Sequence, residues 1–188
     1  MVTMIDKRSI NTEHWIGSED ENLAQLAAKL SERGMDTYSG YGVGAVIVVD
    51  YTGGRDAVAD EFKKHNTHIY GGFNINLSGM EYKVHAEQLA LFQAMLDMEI
   101  SGLFSEPTLE KVVVVTTGND HSLVCGHCLQ VFNGVSDHYN WDIEDIDYIS
   151  AAYEGNEDKP ENYHKSDWDF EKFTLDELLG KSYVSNKE

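Results

Sequence analysis

The sequence predicts an α/β protein in which helices cover both faces of a central sheet, giving a three-layer sandwich. Patterns typical of helices and of strands alternate along the chain. The run 112–115 is four consecutive valines, and the segment 43–50 is largely apolar. Such runs are typical of strands that are buried on both faces. Elsewhere, apolar residues such as Leu23, Ala27 and Leu30 recur at the spacing of a helix that covers a sheet.

The first half of the chain predicts two helices separated by two strands. Ser18 can cap a helix over 18–33, with Glu21 at the reciprocal capping position and Gly34 at its end. The residues that follow predict, in order, a strand over 43–50, a polar excursion at 51–66, a returning strand over 67–76 and a helix over 84–100.

The second half predicts three more strands and two more helices. A turn after the valine run leads to a helix that begins at a pair of cysteines, and a later acidic segment reads as an insertion because it is polar and contains Pro160. The predicted elements are a strand over 111–117, a helix over 125–137, a strand over 146–153, the insertion at 154–166, a strand over 168–173 and a helix over 174–179.

Length and charge limit the class of function. The 188 residues predict a single domain over 1–188. With 33 acidic and 14 basic residues, the formal net charge is -19, which disfavours nucleic acid because its binding depends on phosphate neutralisation by Lys and Arg. Two cysteines leave no disulfide framework, and neither a membrane-spanning stretch nor an apolar signal core is evident. We therefore expect a cytoplasmic protein that acts on a small molecule, with no membrane partner.

Two short motifs together predict one catalytic zinc ion per chain. The first is His85-Ala86-Glu87, and the second contains Cys125 and Cys128. One imidazole and two thiolates supply three ligands, and the open fourth position of such a site is where a catalytic water binds. A structural zinc site would need a fourth protein ligand, and none is evident in the sequence. Glu87 lies two residues after the histidine, where a carboxylate can handle protons without being a ligand.

These motifs are the signature of zinc nucleobase deaminases, and the chain resembles the cytidine deaminase family in its small homo-oligomeric branch. Segment 38–45 is similar to the family's Y-S-x-F-x-V-G-A, 73–76 to its N-x-E ribose segment, and 125–130 to its C-G-x-C-R-Q. Segment 175–183 is similar to the closing E-L-L-P-x-x-F. The motifs follow one another in the family's order, which makes the resemblance far more specific than a lone pair of cysteines.

The resemblance implies a mixed five-stranded sheet, a zinc ion and a nucleoside substrate. It makes Glu87 the proton shuttle, and His85, Cys125 and Cys128 the zinc ligands. The residues that it places against the substrate are Tyr41, Asn74, Asn76, Ala86 and Tyr183. It also implies a homotetramer in which a neighbouring subunit completes the site, although the insertions near 51–66 and 154–166 leave a homodimer open.

Four positions depart from the family's pattern. Asn76 replaces a glutamate that holds a ribose hydroxyl, and Leu129 replaces an arginine near the thiolates. Val124 and Gly180 each replace a proline. His127 either supplies the missing cation or faces solvent. Because a carboxylate binds a hydroxyl more firmly than an amide does, Asn76→Glu is expected on sequence alone to tighten the binding of cytidine.

The expected reaction is zinc-dependent hydrolytic deamination of cytidine and deoxycytidine to uridine and deoxyuridine, with release of ammonia. The departures and the insertions keep open an alternative substrate, a modified cytosine nucleoside or a nucleoside antibiotic of the blasticidin S type. A binding module in which zinc only holds the fold is a third hypothesis, which deaminase activity of the zinc-loaded protein would exclude.

Overall fold

A computed structural model of the chain describes residues 20–51, 67–77, 83–101, 107–118, 120–155 and 159–184. The helices are α1 (Asp20–Ser31), α2 (Ala86–Ser101), α3 (Gly126–Tyr139) and α4 (Leu175–Val184). The strands are β1 (Met35–Asp36), β2 (Val43–Asp50), β3 (Thr67–Phe73), β4 (Ile75–Asn76), β5 (Thr108–Thr116), β6 (Asp147–Tyr153) and β7 (Trp168–Thr174). Two short 3₁₀ turns precede β7: Pro160–Asn162 lies within the predicted insertion, and Lys165–Asp167 lies at its end.

The predicted mixed five-stranded sheet is confirmed. Its strand order is β3-β2-β5-β6-β7, with β5 and β6 parallel and the other neighbouring pairs antiparallel. The parallel pair is joined through α3, as a parallel connection requires a crossover. The short strands β1 and β4 pair in parallel and form a separate two-stranded sheet.

The sheet is buried on both faces, which gives the predicted three layers. Ala45, Ile47 and Val49 of β2 belong to a buried cluster with residues of α2, α3 and α4. Val46 and Val48, which alternate with them, belong to a second cluster with residues of α1. The alternation follows from the two-residue period of a strand. Within the described residues, no helix combines the length and the apolar character that crossing a bilayer would require.

Several helix boundaries predicted from the sequence lie within two or three residues of the boundaries in the structure. The predicted helix over 18–33 corresponds to α1, while Ser18 lies outside the described residues, as does nearly all of the excursion at 51–66. The prediction that His85 lies within a helix is wrong. Val84 forms a β-bridge with Ile75, and the helix begins at Ala86, one residue after His85.

The predicted strand over 67–76 is divided at Asn74. Its first part is β3, the edge strand of the main sheet, and its last two residues form β4. The partner of β4 is β1, which the sequence analysis missed because a strand of two residues has no periodicity to detect. The division sends the backbone after Asn74 away from the main sheet and toward the beginning of α2.

Candidate metal and substrate site

The three predicted metal ligands lie at the beginnings of two helices on the same face of the sheet. His85 immediately precedes α2, where its backbone N–H donates to the side-chain oxygen of Gln88 at 3.2 Å. This bond is one half of a capping box and fixes the start of the helix. Cys125 is the N-cap of α3, and its Sγ accepts from the backbone N–H of Cys128 at 3.5 Å.

A glycine lets the histidine-bearing end of α2 lie close against the sheet. A Cβ atom added to Gly72 of β3 would lie 2.1 Å from the carbonyl oxygen of Ala86 and 2.6 Å from the backbone nitrogen of Ala90. No side chain fits in that space, so the close approach of helix and strand depends on glycine. The close packing of α2 on β3 therefore holds the start of α2, next to His85, against the sheet.

The ligand atoms of His85, Cys125 and Cys128 all lie within 4.8 Å of one another. The Sγ of Cys125 is 3.3 Å from the Nδ1 of His85. In a tetrahedral zinc site with the usual bond lengths, neighbouring nitrogen and sulfur donors are about 3.5–3.8 Å apart. The donor set therefore fits one zinc ion, with three protein ligands and a fourth position left for another molecule.

The electrostatics of the cluster also suit a divalent cation. Cys128 is fully buried, and burial raises the pKa of its thiol, an effect to which the nearby carboxyl of Glu87 and the thiol of Cys125 add. Three groups that can become anionic thus crowd together in a poorly solvated place. A bound cation compensates such a cluster, because metal binding favours the deprotonated ligands.

Glu87 occupies the first turn of α2 with only 6% of its surface exposed. Burial raises the pKa of its carboxyl, while the neighbouring His85 and a hydrogen bond with Cys128 act in the opposite direction. A desolvated carboxyl beside a metal site is a typical proton carrier, because its two protonation states are closer in energy than those of an exposed one. The structure thus places Glu87 beside the three ligands, as the sequence predicted.

His127 and Leu129, the neighbours of Cys128 in the sequence, have different surroundings. His127 is exposed, with its ring centre 6.2 Å from that of His85, so its side chain lies at the surface beside the ligand set. Leu129, one of the four departures from the pattern of the resembled family, is 2% exposed and packs in the core cluster that includes Phe132. Its side chain therefore contributes to core packing.

A cavity of about 230 Å³ opens beside the cluster. It is small compared with the roughly 300–1,000 Å³ of pockets for drug-sized ligands, and therefore suits a compact molecule. One group of lining residues surrounds the metal site, namely His85, Ala86, Glu87 and Cys125. A second group comes from β1, β4 and the segments beside them, namely Asp36, Asn74, Asn76 and Lys83.

The side chain of Asn74 holds the loop that leads into β2. Its Oδ1 accepts from the backbone N–H of Val43 at 2.8 Å, and its Nδ2 donates to the carbonyl of Tyr41 at 2.8 Å. Asn76 is 7% exposed and donates from Nδ2 to Oδ1 of Asp36 at 3.1 Å. Both asparagines line the cavity, and their contact with a sugar stays a prediction.

Of the two aromatic residues that the resemblance assigns to the substrate, only Tyr41 has a side chain that the structure describes. Tyr41 is 39% exposed and is not among the lining residues. Tyr183 belongs to the last turn of α4, where the structure describes the backbone but not the side chain. Five lining residues that sequence reasoning missed lie outside the quoted motifs, namely Asp36, Lys83, Val84, Ser122 and Leu123.

Comparison with known proteins shows the fold. The sequence matches no family model and no curated protein. The structure is similar to that of cytidine deaminase from Burkholderia pseudomallei, with a TM-score of 0.55 and 16% identity over 85% of this chain and 95% of that one. For cytidine deaminase from Mycobacterium leprae the TM-score is 0.52 and the identity 16%, over 86% of this chain and 97% of that one. The predicted cytidine-deaminase-like fold is therefore confirmed.

Proposed function

We propose that the chain is a zinc-dependent deaminase of free cytosine nucleosides, with cytidine and deoxycytidine as substrates. The observation that carries this proposal is the convergence of His85, Cys125 and Cys128 on one point, with the buried carboxyl of Glu87 beside them on the wall of a small cavity. A structural zinc site has four protein ligands and no need of a neighbouring cavity or a buried acid. Three ligands, a proton carrier and a cavity are what a hydrolytic site requires.

The reaction adds water to C4 of the cytosine ring and expels the amino group as ammonia. Zinc, when bound, would lower the pKa of water at its open position, so that a nucleophile is available near neutral pH. The Glu87 carboxylate accepts a proton from the attacking water and delivers it to N3 of the ring. It then takes the second proton of the water from the new hydroxyl on C4 and passes it to the amino group, so that the C4 carbonyl forms as the C4–N bond breaks and ammonia leaves. Because burial raises the pKa of Glu87, its carboxylate binds a proton more readily than an exposed carboxylate does.

The charges around the cavity favour a nucleoside over a phosphorylated substrate. Among the lining residues Asp36 and Glu87 are acidic, and Lys83 is the only lysine or arginine. A phosphate group entering this cavity would meet a carboxylate together with a net protein charge of -19. Binding a polynucleotide would require a basic groove along the strand, which this charge balance disfavours.

A modified cytosine nucleoside is the second candidate substrate. The observation that favours it is the amide of Asn76, which stands where the family has a carboxylate and donates its N–H to Asp36. A sugar pocket rebuilt in this way could accept a different substituent. Cytidine, deoxycytidine and a cytosine nucleoside antibiotic, assayed side by side for ammonia release, separate the two hypotheses. We expect the largest kcat/KM for cytidine or deoxycytidine, and a much larger value for the antibiotic would favour the second.

We also propose a homo-oligomer, a tetramer by resemblance or else a dimer. Phe92, Leu96 and Ile100 follow one another at four-residue spacing along α2 and are 48%, 60% and 75% exposed. Such a stripe on the outer face of a helix is typical of an interface between subunits. Light scattering across a salt series tests this, since the strong negative charge opposes association most at low salt. A monomer that is fully active at every concentration would contradict a shared active site.

A further inference from the structure

Asp36 lines the cavity and belongs to a strand that no motif identifies. It belongs to β1, and the backbone pairing of β1 with β4 places it opposite Asn76. Its Oδ1 accepts from the backbone N–H groups of Tyr38 at 2.8 Å and Ser39 at 3.1 Å, and from Nδ2 of Asn76 at 3.1 Å. Its Oδ2 accepts from the hydroxyl of Ser39 at 2.8 Å.

These bonds keep Asp36 ionised and in place. The hydroxyl of Ser39, followed by the two backbone N–H groups, lowers the pKa of its carboxyl to about 2. Three donors occupy Oδ1, whereas a single donor contacts Oδ2 among the hydrogen bonds of the described residues. A carboxylate oxygen has about two acceptor sites. Oδ2 therefore has capacity for one more donor.

The other side chains that line the cavity are engaged in hydrogen bonds, are uncharged, lack an acceptor or are assigned another role. Both halves of the Asn74 amide are engaged by the backbone at Val43 and Tyr41. The side chain of Lys83 carries only hydrogen-bond donors. Glu87 is assigned to the proton transfers at the cytosine ring. Among the residues that line the cavity, Asp36 and Glu87 are the two that carry a carboxylate. Asp36 is therefore the charged acceptor that remains for the part of the substrate outside the cytosine ring.

We infer that Asp36 binds a sugar hydroxyl of the nucleoside and selects substrates that have one. This inference rests on the proposed function and names the group by which that site recognises the sugar. The charged acceptor comes from β1 rather than from β4, whose residue at this point is the neutral Asn76. A hydrogen bond from a hydroxyl to a carboxylate is about twice as strong as one between neutral groups. A site built to bind a hydroxyl discriminates strongly against an analogue that lacks it.

The test compares cytidine with 2′,3′-dideoxycytidine in the zinc-loaded wild-type protein and in Asp36→Asn. Asparagine keeps the size and the Oδ1 acceptor, so the fold should persist, which circular dichroism verifies. Wild-type protein should prefer cytidine in kcat/KM by at least about tenfold, as expected for a charge-assisted bond. Asp36→Asn should lose about 10- to 100-fold on cytidine, mainly through KM, and change little on the dideoxynucleoside. The 2′-deoxy and 3′-deoxy nucleosides then identify which hydroxyl is bound.

Ser39→Ala is the matched control for a purely structural role of Asp36. It removes a hydroxyl that bonds both to Oδ2 of Asp36 and to the backbone N–H of Tyr41, but it leaves the carboxylate in place. It should affect both substrates equally and preserve the preference for cytidine. Equal losses on both substrates in Asp36→Asn would overturn the inference and make Asp36 a loop anchor.

The remaining outcomes separate the inference from the function on which it rests. If the zinc-loaded wild-type protein deaminates both nucleosides equally well, the inference fails and the proposed function stands. If Asp36→Asn keeps the wild-type preference, the inference also fails. If the wild-type protein deaminates no cytosine nucleoside, the proposed function fails and the inference fails with it.

Discussion

Glu87→Gln is the substitution that most directly separates catalysis from structure. It removes the ionisable group and keeps the size of a side chain that is 6% exposed in the first turn of α2. A general acid–base group contributes roughly 10²- to 10⁴-fold, so kcat should fall by at least about a hundredfold. At about 1.4 kcal/mol per factor of ten, this is about 3–5 kcal/mol in the activation free energy.

The same substitution should lower activity without lowering stability. Burying a carboxylate is unfavourable because the charged form loses its hydration. An amide does not carry this penalty, so the free energy of unfolding should stay the same or increase. Loss of activity combined with unchanged or greater stability is what a residue retained for catalysis would show.

Three measurements on Glu87→Gln decide whether Glu87 serves catalysis or structure: ammonia release, zinc content and thermal unfolding. The same change at the exposed Glu171 of β7 is the matched control and should leave all three near the wild-type values. A near-normal kcat in Glu87→Gln with zinc still bound would assign the proton transfer to another group. Loss of zinc from Glu87→Gln would show that the carboxylate is a ligand, which would refute the three-ligand site.

Further predictions address the metal, the sugar pocket and the dependence of stability on pH. Cys128→Ser should reduce bound zinc from one per chain to a small fraction, as measured by metal analysis, because it removes one of three ligands. Asn76→Glu should raise KM for cytidine, contrary to the expectation from sequence alone, because the new carboxylate would lie beside that of Asp36; adding Asp36→Asn should reverse part of the increase. Burial alone would raise the pKa of Asp20, but hydrogen bonds from Lys111 and Lys172 lower it. The ion pairs of Asp20 therefore stabilise the fold at pH values above the ordinary pKa of an aspartate. This stabilisation is lost as the pH falls through the lowered pKa of Asp20. Asp20→Asn should reduce the free energy of unfolding in urea by about 1 kcal/mol at pH 7 and by almost nothing near pH 2.

The elements of the main sheet and the candidate metal ligands were predictable because their signals are local. The valine run of β5 and the apolar segment of β2 need no long-range information to read as buried strands. The motif around His85 and the pair Cys125 and Cys128 carry their spacing in the sequence itself. Their convergence across α2 and α3 followed from the resemblance, and the structure shows the packing that produces it.

The side of the cavity that β1 and β4 form was not predictable, for a physical reason. Asp36 approaches Asn76 through the pairing of two strands of two residues each, which leaves no hydrophobic period in the sequence. The division of the predicted strand at Asn74 depends on hydrogen bonds to Tyr41 and Val43, more than 30 positions earlier. Such contacts between distant segments determine which polar side chains meet, and residue spacing alone does not encode them.

The most direct test of the central claim is incubation of the zinc-loaded protein with cytidine in water enriched in heavy oxygen. Hydrolytic deamination predicts uridine that carries one heavy-oxygen atom at C4, together with one ammonia released per uridine formed. Mass spectrometry and an ammonia assay measure the two products. Protein that holds one zinc per chain and yields neither labelled uridine nor ammonia, from cytidine or from any other cytosine nucleoside, would contradict the account.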